Sequence, residues 1–309
     1  MNDMGERVAL AVAKSDGVLF IDANQYLNLY RTGTGKKLLA PLKEQQDHIF
    51  VTMQIVDEVQ RNKVTVAASV LEEALKDVRN FSVPDLLFAT TSQGIRERLL
   101  TIRRAVQAAR EELMTLAHDL LDQISRSEDE VSKVLVGIFA KAVPHAPDEI
   151  LRARERKELG NAPGKKVDPL GDQLSWEQIL SRCKDKSRLW IITRDGDFAT
   201  KYGGKLFLNA ALYQNLAELR QPAPEVFCFD NIPDGIKHFA ETVHVKAEKL
   251  PSPEEIEQIK KEQEALPPLD WMNWDTASIV ANLYAQKRAR DVAAFLAPAP
   301  SVILPVPHV

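Results

Sequence analysis

Two apolar runs of strand type each end in an aspartate. Val18-Leu-Phe-Ile-Asp22-Ala-Asn24 lies near the start, and Leu189-Trp-Ile-Ile-Thr193-Arg194-Asp195-Gly-Asp197-Phe198 comes later. Two further acids stand at helix positions: Glu58, just after Gln54, and Asp172, after Gly171. In an open parallel α/β sheet the ligand site lies outside the carboxyl ends of the strands. Carboxylates gathered there within ~4–6 Å repel one another unless a cation intervenes. Mg²⁺ and Mn²⁺ suit an all-oxygen set. A pair of such ions ~3.5–4 Å apart holds an attacking water and the leaving oxygen of a phosphodiester in line. The chemistry expected is metal-assisted hydrolysis with Asp22, Glu58, Asp172 and Asp195 as catalytic metal ligands and Asp197 as a supplementary one. Each acid also has an ordinary reading: Asp172 as an N-cap, Glu58 as a solvated helix residue, Asp197 as part of an Asp-Gly-Asp turn.

The elements that must position these acids follow from the pattern. Strands are predicted over 18–22, 48–52, 189–193 and 226–229. Helices are predicted over 24–31, 35–47, Gln54 to Arg79, Asp172 to Cys183 and Ile232 to Thr242. Alternating strands and helices imply a parallel sheet. Between the second and third strands, Ile95, Leu99, Ile102, Val106, Ala109, Leu113, Leu116 and Leu120 recur at alternating steps of four and three. That is a heptad seam along one long helix. With a second apolar helix over 129–142 it implies an inserted helical hairpin or arm. The seam either packs on its own core or pairs two copies into a homodimer. The fold class expected is α/β: a parallel, Rossmann-like sheet flanked by helices, with an inserted helical hairpin (about 85–150) in a domain covering 1–245. A C-terminal helical extension with a Pro/Ala-rich tail covers 246–309.

Composition narrows the class. With 309 residues, 45% hydrophobic and 27% charged, the chain reads as a soluble globular protein. A net charge of −4 excludes a chain-wide basic surface, so any nucleic-acid binding is local. Cys183 and Cys228 have neither metal spacing nor disulfide density, which fits a reduced compartment. No run approaches the ~18 apolar residues of a membrane helix, and the short apolar run from Val8 to Ala13 is a poor signal peptide. A cytoplasmic location with no membrane partner is expected.

The order Asp22-Ala-Asn24, Gln54-Ile-Val-Asp-Glu58, Gly171-Asp172, Thr193-Arg194-Asp195-Gly-Asp197-Phe198 resembles the PIN-domain nucleases. Gly160-Asn-Ala-Pro-Gly164-Lys165-Lys166, Gly171-Asp172-Gln-Leu-Ser-Trp176-Glu177 and Lys201-Tyr-Gly-Gly204-Lys205 look like a bacterial PIN-like subfamily with a helical insert. The similarity covers about 16–245. It implies a PIN-like sheet, three or four acids binding Mg²⁺ or Mn²⁺, and cleavage of single-stranded RNA, or sometimes DNA. Asp22, Glu58, Asp172 and Asp195 match the family's acidic positions, and Asn24 matches a polar residue that orders the first acid. Thr193 is its expected neighbour in support.

A nuclease needs cations that position phosphates. Candidates are Arg152, Arg154, Arg156, Lys165, Lys166 and Arg194, although Glu149, Glu155 and Glu158 are interleaved with the arginines as on a solvated helix face. Arg31-Thr-Gly33-Thr-Gly35-Lys36-Lys37 fails as a phosphate-binding loop, because Tyr30 stands for its first Gly and Lys37 for its Ser/Thr. The six histidines lack metal spacing. Trp271 and Trp274 either pack back on the domain or engage a protein regulator. The expected activity is endoribonuclease cleavage of single-stranded or structured RNA, leaving a 5′-phosphate and a 3′-hydroxyl. A small-molecule phosphoesterase and a non-catalytic interaction protein are the alternatives.

Overall fold

A computed structural model describes residues 16–82, 89, 92–164 and 170–265. The described residues divide into two compact units, one within 16–67 and 123–265, the other within 68–122.

The first unit is built on a four-stranded parallel sheet: β1 (Gly17–Ile21), β2 (Ile49–Phe50), β3 (Arg188–Ile192) and, after a separate β4–β5 hairpin (Ala199–Tyr202 and Lys205–Leu208), β6 (Glu225–Phe229). The order across the sheet is β2-β1-β3-β6. The chain leaves β1 in one direction to reach β2 and returns past β1 to β3. The topological switch point therefore lies between β1 and β3, where ligands of such sheets bind. Ile21 pairs with Ile192, and the Asp22 N–H donates to the Ile192 carbonyl at 2.9 Å. This register sets Asp22 beside Thr193 at the switch point.

The central strands are apolar on both faces, as a sheet covered on two sides requires. Leu19, Phe20, Leu189, Trp190, Ile191 and Ile192 are fully buried. Gly17 leaves space for the Trp190 ring, since an added Cβ would come within 2.4 Å of it. The flanking helices are α1 (Ala23–Asn28), a 3-10 turn (Thr34–Leu38), α2 (Leu39–Glu44), α3 (Met53–Ala74), α6 (Glu130–Phe139), α7 (Pro147–Glu158), α8 (Gly171–Cys183), α9 (Ala210–Leu219), α10 (Ile232–Val243) and α11 (Pro253–Ala265). The second strand expected over 48–52 is regular only at Ile49 and Phe50. Beyond it, Thr52 makes an isolated bridge to Val143.

The β4–β5 hairpin and α9 were not foreseen. The acidic helix α11, placed in the C-terminal extension, is tied to the sheet unit. Ile259 and Gln263 are buried, the Thr34 hydroxyl donates to Glu262 at 2.6 Å, and Lys260 pairs with Asp234 at 2.6 Å. Residues 266–309 of the extension, with Trp271 and Trp274, lie outside the described residues.

The second unit holds α4 (Lys76–Asn80) and most of α5 (Gln93–Ser125). Within it Arg110 donates to the carbonyls of Val78 and Phe81, securing the chain after α4. The long helix expected from the heptad pattern is present, with the seam residues Leu99 and Val106 half-buried in its first half, but in its second half the buried face is offset from the seam by one residue. Met114, Ala117 and Leu121 are buried, whereas Ile95, Ile102, Leu113, Leu116 and Leu120 are exposed. Among the described residues no helix is long and apolar enough to cross a membrane.

Candidate metal centre

Asp22 follows the last residue of β1 and caps α1, its Oδ1 accepting the Ala23 N–H at 2.7 Å. Its Oδ2 accepts the Thr193 hydroxyl at 2.6 Å and the side-chain amide of Asn24. Thr193 is fully buried, and its oxygen accepts the backbone N–H of Asp195 at 3.0 Å. One hydroxyl thus joins the ends of β1 and β3 and aims both aspartates. Asn24 and Thr193 both donate to the same Asp22 oxygen.

The loop after β3 turns on its own acid: Asp195 Oδ1 accepts the Asp197 N–H at 2.8 Å. Phe198, the next residue, is buried against Phe20 and Trp176 with ring centroids 6.4 and 6.3 Å away. This apolar anchor seats the Asp-Gly-Asp loop on the core while its carboxylates stay half-exposed. Asp172 comes from the first turn of α8. Gly171 before it permits a close approach, because a Cβ there would meet the Gln54 amide at 2.7 Å and a Glu58 oxygen at 3.6 Å. That contact brings the start of α8 against Glu58 on α3.

Carboxylate oxygens of Asp172, Asp195 and Asp197 lie within 4.8 Å of one another. Asp22 and Glu58 stand within electrostatic reach. Burial, then the charges of Glu58 and Asp195, push Asp22 up to about 7 against its hydrogen bonds from Thr193 and Ala23. Burial, then the charge of Asp172, pushes Glu58 up to about 7, with Asp195 adding to it and Arg61 and Gln54 opposing. Burial is the larger cause in both, and the neighbouring carboxylates add to it. The donors are all oxygens, and a divalent cation such as Mg²⁺ or Mn²⁺ fits them.

Of the five predicted acids the structure brings Asp172, Asp195 and Asp197 within ligand distance of one another, and Asp22 and Glu58 interact with them electrostatically. It adds two residues to which the sequence reading gave no role: Gln54, a hydrogen-bond partner of Glu58, and Arg61, a cation acting on it. The spacing Glu58-x-x-Arg61 on one helix was the available signal.

The predicted phosphate-binding residues are not one patch. Arg156 donates to Glu177 at 2.6 Å, to the Ala162 carbonyl at 2.9 Å and to Asn215 at 2.9 Å. Arg152 holds Glu177 at 2.8 Å and Asp148 at 2.7 Å. Arg194 donates to the Gln263 carbonyl at 2.8 Å near the end of α11. Arg154 is exposed. Lys165 and Lys166 lie outside the described residues.

Comparison with curated proteins and with solved structures gives no match. A family model described as a PIN domain matches residues 19–198, more than half of the chain. That span runs from β1 through the Asp-Gly-Asp loop and contains all five acids. The chain belongs to the PIN-domain family, whose fold is of the nuclease type.

Proposed function

We propose that the protein is a metal-dependent endoribonuclease that hydrolyses phosphodiester bonds of single-stranded or structured RNA. PIN domains are typically nucleases that use divalent metals and act on nucleic acids, which supports the coarse reaction class. The observation that carries the finer reading is the cluster of Asp172, Asp195 and Asp197 oxygens within 4.8 Å at the switch point.

Asp172, Asp195 and Asp197 would hold Mg²⁺ or Mn²⁺, with Asp22 and Glu58 completing the set. Bound there, the ion supplies charge stabilisation at the phosphoryl oxygens and an activated water. Thr193 and Asn24 fix the rotamer of Asp22, and Gln54 and Arg61 hold Glu58 so that it orients the water. Water oxygen bonds to phosphorus and the P–O3′ bond breaks, so the products carry a 5′-phosphate and a 3′-hydroxyl. Arg154, Arg194, Lys165 and Lys166 are the proposed phosphate contacts, with Arg152 and Arg156 positioned by Glu177. Cys183 and Cys228 are both free thiols, which suits a reducing cytoplasmic setting.

The test is cleavage of a mixed single-stranded RNA and DNA pool with Mn²⁺, Mg²⁺ or EDTA, for wild type beside Asp195→Asn. Expected is metal-dependent RNA cleavage reduced by about two to three orders of magnitude in the variant, the loss of several kcal/mol of transition-state stabilisation. Turnover of small phosphoesters alone would reassign the site to a phosphoesterase. Equal cleavage by the variant would remove Asp195 from the mechanism.

A further inference from the structure

We propose that the β4–β5 hairpin is a stacking platform for the unpaired bases of a nucleic-acid strand, with Tyr202 and Phe207 taking bases and Lys205 a phosphate. This rests on the nuclease reading and narrows its substrate to single-stranded nucleic acid.

The register of the hairpin puts these side chains together. Gly203 and Gly204 have φ of 55° and 79°, the left-handed values of a two-residue type I′ turn. Thr200 pairs with Phe207 and Tyr202 with Lys205. Opposite residues of an antiparallel pair share a face, and that face alternates along each strand. Thr200, Tyr202, Lys205 and Phe207 therefore lie on one face, and Ala199, Lys201, Leu206 and Leu208 on the other.

The second face holds the hairpin in place. Ala199 is buried, Leu206 and Leu208 are half-buried, and Lys201 pairs with Asp230 at 2.6 Å. The first face is open: Tyr202 is 80% and Phe207 54% exposed. Single exposed aromatics are ordinary on a protein surface. Two rings on one side of a four-residue edge pair are a liability unless something covers them. Their contribution to holding the hairpin is small, since the opposite face does that.

Position and charge indicate what covers them. The hairpin grows out of the acid loop. The Phe198 N–H donates to the Asp195 carbonyl at 3.3 Å, and the Asn209 N–H closes the hairpin onto the Phe198 carbonyl at 2.8 Å. The Asn209 side chain also donates to the Asp197 carbonyl at 3.4 Å. Tyr202 stands three residues, about 10 Å, along β4 from Ala199. A strand whose phosphate lies on Asp195 and Asp197 needs only a few more nucleotides to reach it. Residues 199–208 carry no acid, and with Lys201 paired to Asp230 on the other face, Lys205 is the charge on the open one. An anionic polymer with exposed π-faces matches this surface. A duplex hides its base faces and a single strand presents them, which is why aromatic side chains beside cations read unpaired strands.

The test measures binding, on full-length Asp195→Asn protein, of a labelled single-stranded oligouridine and of an abasic oligonucleotide of equal length. Wild-type cleavage is assayed in parallel. Expected is tighter binding of oligouridine than of the abasic strand, weakened roughly tenfold by each of Tyr202→Ala and Phe207→Ala and retained by Tyr202→Phe. Lys205→Ala is expected to lower the slope of log affinity on log salt by about one. Equal binding of the two probes, no binding of either, or ring variants that fold and bind like their parent overturns the platform. If wild type cleaves RNA while the ring variants bind unchanged, the platform fails and the nuclease reading stands. If wild type never cleaves but oligouridine binding depends on the rings, the platform stands and the nuclease reading fails. A fall in molecular mass of the ring variants without loss of strand binding would assign the face to a second copy of the chain.

Discussion

At the residue scale the site turns on one hydroxyl. Thr193 donates to Asp22 and accepts from the backbone of Asp195. It therefore fixes a carboxylate from β1 and the loop after β3 with a single buried atom. Groups that orient metal ligands typically contribute 10- to 100-fold in affinity or activity when removed. Thr193→Val keeps the shape and deletes these hydrogen bonds together with the one Thr193 accepts from the Asn24 amide at 3.4 Å. A loss of about 10- to 100-fold in Mn²⁺ affinity, read by titration calorimetry, is expected. Thr193→Ser should recover most of it. Unchanged affinity in Thr193→Val would show that Asp22 needs no such support.

At the element scale, α7 and α8 are joined through an ion cluster with a buried centre. Glu177 is 5% exposed and Arg156 12%. Interleaved acids made the arginines of α7 look equivalent in sequence, but their roles divide. Removing one partner of a buried pair costs about 3–5 kcal/mol because the other charge is left uncompensated. Arg152 still reaches Glu177, so Arg156→Ala is expected near the lower end, about 3 kcal/mol of unfolding free energy in urea. Arg154→Ala should leave the urea midpoint in place and weaken RNA binding instead. Equal stability of the two variants would overturn this division.

At the scale of the whole molecule, the acid cluster links stability to pH and to metal. Asp22 and Glu58 are raised from 3.8 and 4.5 to about 7 in the folded state. Between the ordinary and raised values the folded protein holds protons that the unfolded chain has lost. Stability therefore falls as pH rises through that window, and the loss is complete above about 7. A divalent cation replaces those protons and reverses the penalty. The melting temperature of EDTA-treated protein should drop between about pH 5 and about pH 7.5. Mn²⁺ should raise it more at the higher pH. An equal rise at both would argue that the ion binds elsewhere.

Much of this was legible in the chain. Strand-end aspartates, the helix carrying Glu58 and the Gly171-Asp172 start of α8 are local patterns, since each depends on the neighbours of a residue and on the period of its element. Alternating strands and helices restrict the sheet to parallel pairing, and that places strand-end acids at one edge. The sequence alone therefore determined the fold class and the sheet edge at which the strand-end acids lie. Other features depend on contacts between distant residues, and only tertiary structure decided them. The Glu177 centre draws Arg156 from α7 and Asn215 from α9. Arg194 reaches an α11 carbonyl that no local pattern marks. In the second half of α5 the buried face is one residue off the heptad seam, because helical periodicity defines a stripe without naming its partner. The β4–β5 hairpin carried its Gly203-Gly204 signal openly, but its short strands alternate weakly. Only the pairing register shows Tyr202 and Phe207 on one face.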